Sequence, residues 1–191
     1  MTLNCMISGV GGQGTVLASK LIAAAAMKKG YNVRTTETIG MAQRGGSVVG
    51  HNRIGDNIFS PLIPVGKADA LLAFEPSEAV RQLSYLRSDG ILVVCNSGVN
   101  PIGQTYNVED MLDYLEKNIK KVIVIDGSRI LAQHPKTLNV ALLGAAVESG
   151  IFPFDGETLK EILPEMLPPR FVEMNLEAFE LGRRIYNESI K

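Results

Sequence analysis

The sequence has no tryptophan, and its 191 residues include only two cysteines and two histidines. Five tyrosines and six phenylalanines are scattered along it, so no row of aromatics is laid out to stack the bases of a single strand. Net charge is −1 and no long basic run occurs, which removes the electrostatic attraction that nucleic acid or an anionic membrane would need. Cys5 and Cys95 each sit in an apolar run that reads as a buried strand. Two thiols cannot supply the four ligands an iron–sulfur cluster normally takes. Adding His51 and His134 makes a four-ligand zinc set on paper only, because no C-x-x-C or H-x-x-x-H spacing is present.

Targeting features are missing too. The start, Met1-Thr2-Leu3-Asn4, carries no basic leader and runs straight into a strand-like segment. The most apolar stretch, residues 16–27, is interrupted by Ser19 and Lys20 and is too short to cross a bilayer. A cytoplasmic protein is expected. No composition break divides the chain, so residues 1–191 read as a single domain with one continuous core.

What is there begins with residues 3–8, a short apolar strand that ends at Gly9-Val10-Gly11-Gly12-Gln13-Gly14. Residues 15–29 follow as a helix rich in alanine, with Lys28 and Lys29 in its last turn and Gly30 placed to cap it. A second strand is expected over 31–36. Residues 47–54 read as another, and Gly55-Asp56-Asn57 as the tight turn of a β-hairpin closed by Ile58 and Phe59. Further strands are expected over 70–74, 91–95 and 122–125, with helices opening at Pro76 and covering 108–119, 138–149, 157–167 and 170–189. This alternation predicts an α/β fold, a three-layer α/β/α arrangement around a mostly parallel, Rossmann-like sheet, plus the inserted hairpin and a helical C-terminus. The last helix carries two apolar stripes, which suits deep burial or a partner surface.

Gly9-x-Gly11-x-x-Gly14 between a strand and a helix has the pattern of a phosphate-binding loop. Glycines let the backbone approach an anion, and the free N–H groups of the first helical turn point at it. The plain alternative is a tight turn that packs helix on sheet. For NAD(P), Glu37 stands near the place of the ribose-binding acid, which keeps a standalone NAD(P)-linked oxidoreductase in view, as well as a nucleotide-binding regulatory module. A kinase-type loop is excluded because no lysine precedes Thr15, and no Gly-x-Ser-x-Gly elbow exists. Open α/β sheets bind ligands at the carboxyl ends of their strands, so the glycine loop and the Arg44 segment should share one edge.

That segment is Glu37-Thr38-Ile39-Gly40-Met41-Ala42-Gln43-Arg44-Gly45-Gly46-Ser47. Together with the glycine loop, with Ser60-Pro61-Leu62-Ile63-Pro64, with residues 68–79 and with residues 170–179, it resembles the gamma-type subunits of 2-oxoacid:ferredoxin oxidoreductases. Within that family it is most similar to the beta subunits of the indolepyruvate branch, over nearly the whole chain. The resemblance implies a subunit with no catalytic residue of its own. A larger partner subunit would carry thiamine diphosphate and the iron–sulfur clusters, and the assembled enzyme would decarboxylate a 2-oxoacid oxidatively, an aryl pyruvate such as indolepyruvate in that branch, to an acyl-CoA while reducing ferredoxin. The residues agree with that division, since the thiolates for clusters and a Gly-Asp-Gly metal loop are both absent from the sequence. The resemblance also implies a part in coenzyme A binding, for which Gly9, Gly11, Gly12, Gln13, Gly14, Arg44, Gly45 and Gly46 are the candidates, the loop amides and the Arg44 guanidinium sharing its phosphates. For Arg44 the alternative is an ion pair with Glu37 or with a partner's carboxylate. No tightly held cofactor, no metal, no nucleic acid and no membrane are expected. A homodimer of the isolated chain is compatible with the apolar surface that a missing partner would leave open.

Overall fold

Alternation of side chains along the strands sorts the interior into two cores. In β1 (Thr2–Val10), Cys5 and Ile7 enter one core and Met6 the other. In β4 (Ala68–Ala73) the same division separates Ala70 and Leu72 from Leu71 and Ala73. In β5 (Leu86–Cys95) it separates Val93 and Cys95 from Leu92 and Val94. Strands that bury both faces need helices on both sides, and the chain supplies them. The computed structural model describes residues 2–40, 45–100, 105–134 and 136–189.

Six strands form one mixed sheet in the order β2-β3-β1-β4-β5-β6, with β2 Asn32–Ile39, β3 Ser47–Gly55 and β6 Lys121–Ile125. β1, β4, β5 and β6 run parallel, whereas β3 lies antiparallel to both β1 and β2. On one face pack α1 (Thr15–Lys28), α4 (Gly127–Gln133), α5 (Leu138–Glu148), α6 (Gly156–Met166) and α7 (Pro169–Ser189). The other face is covered by α2 (Pro76–Gln82), a single 3-10 turn (Leu83–Tyr85) and α3 (Val108–Asn118). The expected α/β fold and its layers are therefore present.

The hairpin is not where the turn signal put it. β3 pairs with β2, which precedes it in the chain, not with Ile58 and Phe59, which lie outside any strand. Instead of following the parallel strands, β3 is wedged between β1 and β2, opposite β1 from Thr2↔Gly55 to Val10↔Ser47. Gly55-Asp56-Asn57 only turns the chain out of the sheet.

The helical C-terminus resolves its two stripes by burial. α7 buries Ala178, Phe179, Leu181 and Ile185 against α5, whose Ala141, Ala145 and Gly144 leave room for close approach. Phe171 remains 37% exposed at its start. No helix among the described residues is long and apolar enough to cross a membrane.

Candidate functional site

From β1 the chain leaves to α1 on one face, and from β4 it leaves to α2 on the other. The carboxyl ends of these neighbouring strands are therefore the switch point of the sheet, where an open α/β fold leaves a crevice. The glycine loop fills the β1 side of it. Gly9 is buried, and a methyl on it would meet Gln13 Oε1 and Thr15 Cγ2 at 2.8 Å, so this glycine serves close packing. Gly11 donates its N–H to Gly46 O at 2.8 Å and accepts from Gly45 N–H at 3.2 Å, extending the β1–β3 ladder by one step. That contact brings the glycine loop and the end of the Arg44 segment together, as expected. Arg44 itself lies outside the described residues.

Gly12 is the exposed crest, at φ +102° with open space around it. Gly14 caps α1 at φ +81°, with no side chain spent on the helix N-terminus and no acidic residue in its first turn. The leading N–H groups of α1 are thus left for an anion. Gln13 departs from the ligand-facing role: its Oε1 accepts from Val10 N–H at 2.8 Å and its Nε2 donates to Phe74 O at 3.3 Å. It stitches the ends of β1 and β4 across the switch point and supports the loop from beneath.

Two clefts flank Gly12. One, about 440 Å³, is bordered by Gly11, Gly12, Gly14, Thr15, Ile39 and Val48. The other, about 220 Å³, lies between Gly12, Gln13, Ser97, Leu131 and Lys136, and the lysine adds a cation beside the crest. A further cavity, about 540 Å³, opens at the amino ends of the parallel strands near Tyr31 and Phe152. There Arg87 bonds both Asp69 and Asp89, and the guanidinium holds the Asp89 carboxyl down at about 2. Those charges already satisfy one another, so the switch point is the better candidate.

Residues that the motif did not flag hold the site in place. Asn139 donates to Gly14 O at 3.3 Å and fills the space a Cβ on Gly14 would need, tying the start of α5 to the loop. Glu75, fully buried at the end of β4, accepts from Glu78 N–H at 2.9 Å and caps α2, with Pro76 in the first turn as expected. Glu78 in turn accepts from Ser47 Oγ at 2.5 Å, fastening the start of β3 to α2. The Glu75-Pro76 pair marks the helix start in the sequence, but nothing there marks Ser47 as the partner of Glu78 or Asn139 as the partner of Gly14.

Glu37 is not placed for a ribose. It lies across from Gly50, which lies across from Ile7, so its position in the sheet is level with the middle of β1. One strand intervenes, putting it roughly 10 Å sideways from β1. Its carboxylate accepts from Ser19 Oγ at 3.0 Å. The same hydroxyl lies 3.0 Å from Asn52 Oδ1, and a hydroxyl has one proton to give. Turning the Asn52 carboxamide over lets its Nδ2, otherwise buried without a partner, donate to Ser19. Glu37 is a structural acid.

Both cysteines are buried, and burial pushes the Cys5 thiol up to about 12 and raises Cys95 as well. Such thiols are disfavoured as thiolate ligands. Among the described residues no three His, Cys, Asp or Glu side chains gather as a metal site. His51 is a satisfied interior residue, accepting from Ile63 N–H, and His134 ends α4.

Residues 4–185 match the family described as pyruvate ferredoxin/flavodoxin oxidoreductase. The chain belongs to this family. Within it, the chain is 36% identical to indolepyruvate oxidoreductase subunit IorB of Pyrococcus horikoshii over 196 aligned residues, covering 98% of this chain and 97% of the relative. The pyruvate/ketoisovalerate oxidoreductases common subunit gamma of Thermococcus kodakarensis is 28% identical, covering 90% of each chain. Among solved structures, a pyruvate oxidoreductase subunit from Thermotoga maritima superposes with a TM-score of 0.71 at 26% identity, covering 97% of this chain and 96% of that one. The 2-oxoglutarate:ferredoxin oxidoreductase from Magnetococcus marinus, solved with coenzyme A bound, shares the fold with a TM-score of 0.75 at 22% identity, covering 98% of this chain but 31% of that one. As a gamma-type member of the family, the chain is a subunit of a 2-oxoacid:ferredoxin oxidoreductase, one part of a multi-subunit enzyme.

Proposed function

We propose that residues 1–191 are one gamma-type domain that serves as the smaller subunit of an indolepyruvate:ferredoxin oxidoreductase, with its glycine loop forming part of a coenzyme A site. The observation that carries the site is the uncapped N-terminus of α1 behind the open crest at Gly12, with Lys136 beside it. In this reading the N–H groups of Gly12, Gly14 and Thr15 hold phosphate oxygens, and Lys136 and Arg44 neutralise their charge. Gln13 and Asn139 position the loop, and Gly45 and Gly46 hold the Arg44 segment against it. When bound, coenzyme A supplies the thiol that accepts the acyl group, while thiamine diphosphate and iron–sulfur clusters on a larger partner subunit serve decarboxylation and electron transfer to ferredoxin. The substrate class follows the greater likeness to the indolepyruvate subunits than to the common gamma subunits.

Calorimetric titration of the assembled enzyme with coenzyme A tests the site. Lys136→Ala and Arg44→Ala should each weaken binding about tenfold, in line with loss of one charge-assisted contact. Unchanged affinity in both variants removes the phosphate role. Steady-state rates with indolepyruvate against pyruvate test the substrate class, and a preference for pyruvate overturns it.

A further inference from the structure

Residues 57–66, Asn57-Ile58-Phe59-Ser60-Pro61-Leu62-Ile63-Pro64-Val65-Gly66, contain no ionisable side chain, although a fifth of the chain is charged. They connect β3 to β4 over the surface. Ile58 and Ile63 turn inward, at 7% and 2% exposure, whereas Phe59, Leu62 and Val65 face solvent at 95%, 57% and 65%.

This loop is clamped. Arg53 on β3 donates through Nη1 to Ser60 O at 3.0 Å and Leu62 O at 3.4 Å, and through Nε to Asn4 Oδ1 on β1 at 2.8 Å. Ile63 N–H donates to the buried Nδ1 of His51 at 3.2 Å, and Leu62 N–H to Ser60 Oγ at 3.2 Å. Gly66 N–H bonds Ser84 O at 3.0 Å, tying the far end down. Pro61 and Pro64 remove backbone freedom between these ties. A phenylalanine held almost wholly in water by buried anchors gains nothing from its own fold. Charge-poor, aromatic and already ordered, it has the character of an interface anchor, because little conformational entropy remains to be lost on docking.

We propose that residues 57–66 are an anchor by which this chain docks on the larger subunit of its enzyme, Phe59 entering an uncharged apolar pocket on that partner. The proposal rests on the partner reading given above. Two observations select this occupant over a second copy of the chain. The family places the chain in a multi-subunit enzyme. The Magnetococcus protein carries the same fold as 31% of one longer chain, so there the domain meets the rest of an oxidoreductase as a permanent neighbour.

The test uses the full chain co-expressed with the larger subunit, purified through a tag on the latter, its dissociation constant read from dilution of the assembled enzyme by mass photometry. Phe59→Asp should weaken assembly about thirtyfold or more, the loss expected of a central anchor. Met27→Asp, at a 57% exposed apolar position at the end of α1, should stay within about threefold and serves as control. An unchanged melting temperature of the isolated Phe59→Asp chain shows that folding is intact; should it fall, Phe59→Ser and Leu62→Ser are read in its place, with the same loss of assembly expected. Wild-type assembly by these variants overturns the anchor, as does an intact enzyme accompanied by the splitting of a dimer of this chain alone. A wild-type chain that does not co-purify with any larger subunit overturns the partner reading itself, and the anchor with it.

Discussion

Gly182 of α7 lies so close to Ala141 of α5 that a methyl group on it would sit 1.8 Å from the Ala141 carbonyl oxygen. Gly144 stands in the same relation to Phe179, at 2.2 Å. The obstacle in both cases is backbone, which cannot rotate aside. Gly182→Ala should therefore destabilise the chain by about 3 kcal/mol or more, despite alanine's better helix propensity. Chemical denaturation of the purified chain measures this, and a stability equal to wild type would show that the two helices are free to separate.

Gln13→Ala should cost about 2 kcal/mol, since it strands the Val10 N–H and the Phe74 carbonyl at the junction of two central strands. Gln13→Glu should cost less, because a carboxylate still accepts from Val10 but no longer donates to Phe74. Urea unfolding of the pair distinguishes this supporting role from a ligand contact, in which stability would stay constant.

His51 gives the chain an acid-sensitive component. Burial lowers its pKa below the ordinary 6.5, and the imidazole accepts from Ile63 N–H, as only the neutral form can. Tyr85 meets the ring edge-on with centroids 5.8 Å apart. Between the two pKa values the unfolded chain holds the extra proton. This contribution is therefore complete above pH 6.5 and declines as pH falls toward the folded value, with a slope of at most about 1.4 kcal/mol per pH unit. His51→Gln should flatten that part of the stability profile measured between pH 5 and pH 7, values of about the range in which histidine titrates.

The native chain should react slowly with a thiol reagent at neutral pH. Cys5 and Cys95 are both fully buried with raised pKa values, so neither access nor thiolate is available. Two thiols should titrate promptly in denaturant. Fast labelling without denaturant would place one of them at the surface.

How far the fold is legible in the sequence depends on the range of the interaction. The glycine loop, α1 with Gly30 beyond it, and α2 opened by Glu75-Pro76 are set by neighbours within a few residues, and all three stand where the pattern puts them. β3 is not, because its partners lie up to 53 residues away and a local turn signal at Gly55-Asp56-Asn57 competes with them. α4 has seven residues, too few to show a period, and starts from the Asp126 cap, which accepts from Ser128 and Arg129 N–H. For the site, the motif gives the backbone and not the side chains. Gln13 sits among ligand-binding glycines yet turns inward, because two strand-end backbone groups need a partner more than the solvent-facing crest does.

The wedged strand has a consequence for synthesis. β1 ends up between residues 47–55 and residues 70–73, with nothing nearer in the chain beside it. During translation β1 leaves the ribosome ahead of both flanks and therefore waits, hydrophobic and unpaired, until they have emerged. A chain stalled after α1 would expose Met6 and Ile7 to chaperones, and its premature fragments should be sticky.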